Sequence, residues 1–209
     1  MDDKVQTRGE RTRQAILDSA KRLFLSSGYN GTSMRQIAQG ADIALGGIYN
    51  HFSGKEDIFR SLLEERSPFR LIITALDELD EQSGPTMIRD AFARLEAILL
   101  QNLDFFGLVM IDAQEFNGRM VRRLINQVMP TFMRFAQRLH SAGGMRQDLS
   151  PFVMLRAFAI LMFGYTITQA IGFGGEQIDI VTLPEVQGID WQPALVDVFL
   201  HGVAAAEDD

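Results

Sequence analysis

Between Thr32 and Lys55 the chain sets out Thr32, Ser33, Arg35, Asn50 and Lys55, a run of hydroxyl, guanidinium, carboxamide and ammonium groups. Such groups donate hydrogen bonds to phosphates and base edges. Groups arranged for bond breaking are missing from the pattern. No glycine-rich loop followed by lysine cradles a phosphate, His51, His140 and His201 lack metal-ligand spacing, and no serine has an evident partner base. Without cysteine, neither a thiolate metal site nor a disulfide framework is open to the chain, and a reducing cytoplasm is the natural setting. No metal and no cofactor are expected.

Charge is divided along the chain. Residues 1–66 carry ten Lys and Arg against nine Asp and Glu, a net of +1, whereas the remainder carries ten against eighteen, a net of −8. All three lysines, Lys4, Lys21 and Lys55, lie in the first part. Cations are thus concentrated where phosphate contact is expected, and the rest is acidic. The 46% hydrophobic content over 209 residues is enough to fill a core without covalent staples. The charged start Met1-Asp2-Asp3-Lys4 is unlike a secretory signal. Residues 152–171 are mostly apolar and nearly long enough to span a bilayer, but Arg156 and Gln169 interrupt them. A guanidinium is costly at hydrocarbon depth, so the segment reads as a helix covered by protein, above all by a partner subunit, and no membrane is expected.

The elements that must position these groups read as helices throughout, an all-α chain. Periodic apolar residues predict helices over about 10–27, 33–40 and 44–52, which form an N-terminal helix-turn-helix domain, 1–54. Thr7 and Glu10 have capping-box spacing for the first helix, and Gly28-Tyr29-Asn30-Gly31 breaks it. Thr32 or Ser33 caps the second, and Gly40-Ala41-Asp42 turns into the third, which buries Ile48 and Phe52. Ser53 and Glu56, again at capping-box spacing, open a fourth helix that buries Ile58, Phe59, Leu62 and Leu63 and that Pro68 ends or kinks. Further helices are predicted over 69–82, 85–102, 106–116, 119–142, 151–171 and 192–206, so that 55–209 forms a larger helical domain.

Three short helices with a tight turn between the second and third match the geometry that sets one helix into a major groove. The run Thr32-Ser33-Met34-Arg35-Gln36-Ile37-Ala38, then Ala41-Asp42-Ile43, Gly46-Gly47-Ile48-Tyr49-Asn50-His51-Phe52 and Lys55-Glu56 closely resembles the DNA-binding signature of the TetR family. The likeness covers roughly residues 10–65 and beyond that is one of helical architecture. It implies phosphate contacts from Tyr49 and His51. Lys55 adds charge beside the first amides of the fourth helix, and Thr32 and Ser33 anchor the strand across the groove. Arg35 reaches a guanine edge or a phosphate, and Asn50 and Leu45 are the candidates for base readout. Gly46 and Gly47 remove side chains where the recognition helix must approach DNA, while weakening that helix by roughly 1 kcal/mol each. The sequence departs from the family at Ala44, where a capping hydroxyl is usual, and at Leu45, where a polar residue is common; Leu45 can instead touch a thymine methyl. Arg8, Arg11 and Arg13 fit either phosphate contact or a solvated helix face.

The resemblance further implies a homodimer on double-stranded operator DNA, paired through the last two long helices. Ala157, Gly164 and Thr168 on one, and Leu195, Val198, Phe199 and Gly202 on the other, are the expected interface residues, though they can equally fill one monomer's core. Central helices would enclose a small, largely apolar effector. Phe105, Phe106, Met110, Phe116, Met129, Met133, Phe158, Met162 and Tyr165, with Glu115 and Gln169 as polar contacts, are the expected lining, methionine supplying adaptable shape and phenylalanine broad contact. The methionines and aromatic residues among them can equally be ordinary core packing. The expectation is a ligand-released repressor; the alternatives are an enzyme, against which the missing motifs speak, and a helical DNA-binding protein that has no effector.

Overall fold

The computed structural model describes residues 7–79, 83–170 and 189–203. Every regular element among them is a helix: α1 (Arg8–Ser27), α2 (Met34–Gly40), α3 (Leu45–Ile48), α4 (Lys55–Arg66), α5 (Phe69–Asp77), α6 (Gly84–Gln101), α7 (Leu103–Glu115), α8 (Arg119–Ser141), α9 (Pro151–Ala170) and α10 (Trp191–Val203). The all-α class is therefore observed. Contacts divide the chain into two compact units, Met1–Ser67 with Asp104–Ile125, and Pro68–Leu103 with Asn126–Asp209. The unit built on the three N-terminal helices thus runs beyond residue 54 through α4 and takes in α7, a return of the chain that local periodicity does not encode.

In the first unit, α1 starts at the expected capping box: Thr7 Oγ1 accepts from the Glu10 amide, and Glu10 accepts from the Thr7 amide. It ends where Gly28 adopts φ 72°, a left-handed value that suits glycine. One face of α1 buries Ile16, Leu17, Ala20 and Phe24 against Ile37 and Ala38 of α2 and Ile58, Phe59, Leu62 and Leu63 of α4. Ser33 caps α2 through a full box with Gln36, and Ser19 Oγ donates to the Ile37 carbonyl at 3.0 Å, fastening α1 to α2. A Cβ on Gly40 would collide with that same Ser19 hydroxyl, so here glycine is demanded by packing.

Two helices differ from expectation. The third helix has four residues rather than nine: two glycines and an uncapped Ala44 leave little to propagate it, and the chain continues through tight turns in which the Asn50 and His51 amides bond to the Gly47 and Ile48 carbonyls. Helix α4 has no Ser53–Glu56 box. Instead the Ser53 amide and hydroxyl both donate to Asp57 Oδ2, at 2.9 and 3.1 Å, and these bonds hold the Asp57 carboxyl below its ordinary range, with Arg60 adding to the effect.

Helix α7 packs on α1, where Leu25 lies against Gly107 so closely that a Cβ there would displace it, and Lys21 pairs with Asp104 at 2.6 Å. Asp112 is fully buried. Its carboxylate accepts from the Met120 and Val121 amides at 3.3 and 2.9 Å, and its carbonyl accepts from Phe116 and Gly118, so one residue closes the turn from α7 into α8.

The second unit has its own core, in which Ile72 and Leu76 of α5, Met87, Ile88, Ala91, Phe92 and Leu95 of α6, Phe135 and Leu139 of α8, Met154, Phe158, Met162 and Tyr165 of α9, and Val196 and Leu200 of α10 come together. Helix α5 ends at Asp77, short of the predicted residue 82, and the last carbonyls there, Leu76 and Leu79, accept from the Arg138 guanidinium. Arg146 pairs with Asp148 and donates to the Gly202 carbonyl at 3.1 Å near the end of α10.

Tyr165 sits inside this core with its ring 5.2 Å from that of Phe92 and its hydroxyl donating to Glu96 Oε1 at 2.7 Å. Burial, reinforced by the bond to Glu96, pushes the phenol up to about 12 from an ordinary 10.0. Because the folded value is raised, this stabilisation is complete below pH 10 and is lost as the pH climbs toward 12. Denaturant midpoints measured across that window should fall steeply for the parent protein, and the fall should flatten in Tyr165→Phe.

Candidate nucleic-acid interface

The turn from α2 to α3 is built by Ala41, which donates to the Ile37 carbonyl at 3.0 Å, by Asp42 at φ 55°, and by Ile43, which donates to the Ala38 carbonyl at 3.0 Å. These bonds fix the crossing of the two helices through backbone alone. An open depression of about 720 Å³ lies along the crossing, lined by Arg35, Ala38, Gln39, Asp42, Ile43, Ala44 and Leu45. Helix α3 is held from below: Ile48 is fully buried and Phe52 nearly so, with the Arg13 guanidinium 4.6 Å over the Phe52 ring and paired with Glu65.

Several of the residues expected to contact DNA are exposed, at the start of α2, on α3 and in the turn after it. Ser33, Arg35, Gly46 and Asn50 are exposed, Leu45 and Tyr49 are 42% and 55% exposed, and Gly47 and His51 are half-buried. An added Cβ would meet nothing within 4 Å at Gly46 or at Gly47, and neither glycine has a left-handed φ. Nothing in the domain's own packing asks for glycine at these positions, in contrast to Gly40.

Two of the expected contact residues face inward instead. Thr32 is 2% exposed and its hydroxyl donates to the Gly28 carbonyl at 2.9 Å, so it braces the α1–α2 turn rather than presenting a donor outward. Lys55 Nζ donates to the carbonyls of Tyr29 and Thr32 at 2.7 and 2.8 Å. Of the N-terminal arginines, Arg13 is committed to Glu65 and Phe52, while Arg8 and Arg11 are exposed.

An aromatic cluster stands behind this surface. The Tyr29 ring lies 5.5 Å from Phe24, 5.6 Å from Phe59 and 4.8 Å from Phe116, and Phe59 stacks on Phe116 at 5.4 Å. Asn30 donates to Glu115 at 2.6 Å and Arg119 pairs with Glu56 at 2.7 Å alongside it. Each aromatic pair of this kind adds about 1 kcal/mol beyond area burial. Burial, with Glu56 and Glu115 nearby, raises the Tyr29 phenol. Sequence patterns pointed to neither Tyr29 nor this use of Phe116; the one available signal was an aromatic residue in a turn otherwise made of glycine and asparagine.

The expected effector lining is divided between the two units. Phe105, Phe106, Met110, Glu115 and Phe116 belong to the first unit, and Met129, Met133, Phe158, Met162, Tyr165 and Gln169 to the second. Met110 is 47% exposed, Glu115 is bound to Asn30, and Phe116 is part of the aromatic cluster. Phe158, Met162 and Tyr165 are packed in the second core, with Glu96 as an unforeseen polar partner. Of the expected dimer residues, Gly164, Thr168, Val198 and Gly202 are exposed and Ala157 is half-buried. Leu195 and Phe199 instead pack against their own unit's core, because Phe199 meets Phe158 at 5.8 Å.

Residues 16–62 match the family described as bacterial regulatory proteins, tetR family. The chain belongs to the TetR family. Its membership carries DNA binding through a helix-turn-helix and a role in transcription regulation. This TetR-family chain is 29% identical over 174 residues, 78% of each chain, to the HTH-type transcriptional regulator AcrR of Shigella flexneri. It shares its fold with NalD, the secondary repressor of the MexAB-OprM multidrug efflux pump in Pseudomonas aeruginosa, at a TM-score of 0.67 and 22% identity over 95% of this chain and 100% of that one. The same fold recurs in the transcriptional regulator FadR of Bacillus subtilis in complex with stearoyl-CoA, at a TM-score of 0.63 and 17% identity over 90% and 98%.

The open space beside Gly46 generates a discriminating expectation. Gly46→Ala should leave the fold intact or stabilise it by up to about 1 kcal/mol, since a methyl group fits and helix propensity improves. The same substitution should weaken DNA binding in a gel-shift titration. A variant that both folds better and binds as tightly would remove the reason for glycine.

Proposed function

We propose that this TetR-family regulator is a repressor that binds operator DNA as a homodimer in the cytoplasm and leaves it when a small, largely apolar ligand binds. The observation that carries the reading is the surface of α3, where two glycines unneeded by the fold stand among exposed Leu45, Tyr49 and Asn50. Tyr49 and His51, with Ser33 across the groove, hold phosphates; Arg35, Leu45 and Asn50 read bases. One such head reads too few base pairs to single out one genomic site, so two must act together.

The outer face of α9 supports the pairing. Phe152, Val153, Ile160 and Phe163 are 41–62% exposed around Arg156 and Gly164, and Val198 of α10 is 72% exposed. Helix α9 is long and apolar enough to cross a membrane, with a mean hydropathy of 1.5 over its most apolar stretch. A second copy covers such a face better than lipid does, because Arg156 lies within it.

A coupling route follows from the first unit. Helix α7 ends in the cluster of Phe116, Tyr29 and Phe59, so a ligand that shifts α7 acts on the α1–α2 turn and on α4 without an intermediary. A few kcal/mol of differential affinity between two arrangements of α7 is enough to change occupancy of the operator. Relatives named for efflux control and bound to stearoyl-CoA accord with an apolar effector. The packing of Phe158, Met162 and Tyr165 into the core of the second unit, and of Phe116 into the aromatic cluster of the first, favours a second reading, a DNA-binding regulator that has no effector.

Gel shifts at graded salt on DNA enriched from a random pool, with light scattering for mass, test the main reading. Tyr49→Phe should weaken binding to all sequences alike and Asn50→Ala should alter base preference; equal, sequence-independent losses would remove the assigned roles. Ile160→Glu should halve the solution mass and lower operator affinity on the order of a hundredfold, while leaving the helical spectrum unchanged. Thermal-shift screening of apolar compounds separates the two readings, since only a sensor is stabilised by a ligand that also releases DNA.

A further inference from the structure

Lys55 occupies the first position of α4, after Gly54, an N-cap without a side-chain bond to the helix. A lysine so placed would be taken for a phosphate ligand. Its partners say otherwise. The ammonium donates to the Tyr29 carbonyl at 2.7 Å and to the Thr32 carbonyl at 2.8 Å, and stands 4.2 Å from the centre of the Tyr29 ring. Two of its three N–H groups are thus spent on backbone, and an aromatic face takes up much of the remaining approach.

The two carbonyls belong to the turn between α1 and α2. At one end Gly28 leaves the helix at φ 72°; at the other Thr32 immediately precedes Ser33, the cap of α2. The turn has few bonds of its own: the Thr32 amide donates to the Tyr29 carbonyl at 3.2 Å and the Thr32 hydroxyl to the Gly28 carbonyl at 2.9 Å. Helix α2 has only seven residues, so its start is held by these contacts and its capping box. Lys55 also ties the Tyr29 ring into its place between Phe24, Phe59 and Phe116. Burial of the ammonium lowers its proton affinity, the cost expected for a cation drawn from solvent onto carbonyls.

The geometry points to Lys55 as a positioning residue: by clamping the Tyr29 and Thr32 carbonyls against α4 it sets where Ser33 and Arg35, at the start of α2, meet DNA, and it makes no phosphate contact of its own. This rests on the DNA-binding reading above and adds a mechanism to it. The relevant contrast is between a charge that neutralises a phosphate and a charge that shapes the protein. The first contributes a unit to the salt dependence of binding; the second changes affinity without changing that dependence.

Lys55→Met keeps the aliphatic stem over Tyr29 and removes the donors and the charge. The buried core of Ile16, Leu17, Phe24, Ile37, Ile48 and Phe59 is untouched, and far-ultraviolet circular dichroism checks that the helices persist. Two measurements on the full chain then decide. In hydrogen exchange of the free protein, amides of residues 31–36 should lose protection in the variant. Against a duplex of about 30 base pairs enriched by the parent protein from random sequence, affinity should fall on the order of tenfold, with the slope of log affinity against log salt unchanged. A slope reduced by about 0.9 with exchange unaltered would mean a phosphate ligand and overturn the assignment. Unchanged exchange with unchanged affinity would overturn it equally. Failure of the parent protein to bind any duplex in a salt-dependent way would instead defeat the DNA-binding reading, and the exchange result alone would still report whether Lys55 orders the turn.

Discussion

A helix of four residues that includes two glycines cannot hold itself together in water, because nucleation costs more than so few hydrogen bonds return. Helix α3 exists only because Ile48 and Phe52 are driven into a core made by α1, α2 and α4. The arrangement of the first unit follows from that need. Its interior must be rigid enough to support a surface element without stability of its own, and its exterior must leave that element uncovered. A depression with Arg35, Gln39 and Leu45 along its wall is the result.

Rigidity in this unit comes from polar groups satisfied at helix ends as much as from apolar packing. Thr7, Ser33 and Asp112 take up amides in the first turns of α1, α2 and α8, Asp57 takes up the Ser53 amide ahead of α4, and Thr32 and Lys55 take up carbonyls of the turn. An unmade bond to a buried backbone group costs about 1–3 kcal/mol, comparable to the burial of a large side chain. Helix starts are therefore placed to within a residue by side chains scarcely larger than serine. The aromatic cluster of Phe24, Tyr29, Phe59 and Phe116 then joins the end of α7 to the same framework, so that the DNA-binding unit includes chain from well beyond its own helix-turn-helix.

The second unit obeys a simpler rule. Its helices converge on Phe92, Phe158 and Tyr165, and the Tyr165 hydroxyl, a polar group within that core, is satisfied by Glu96. Helix α9 is apolar nearly all round, buried along Met154, Phe158, Met162 and Tyr165 and exposed along Val153 and Ile160. Apolar side chains on both its buried and its exposed faces are why its sequence shows so little amphipathic contrast.

Amino-acid order alone determined the features that depend on neighbours three or four positions away. The capping box at Thr7, a hydroxyl cap for α2 at Thr32 or Ser33, the breaks at Gly28 and after Gly40, the all-α class and the signature from Thr32 to Lys55 are local in this sense, and each is where periodicity and capping chemistry place it. Only the tertiary structure decided what pairs residues distant in sequence. That Arg138 takes the carbonyls of Leu76 and Leu79, that Phe116 meets Tyr29 and that Lys55 turns inward are all settled by which groups are left wanting a partner once the helices have packed. A long side chain such as lysine carries no sign of its direction in its own sequence context, since water, a phosphate and a stranded carbonyl all satisfy it; the nearest unsatisfied acceptor in three dimensions makes the choice.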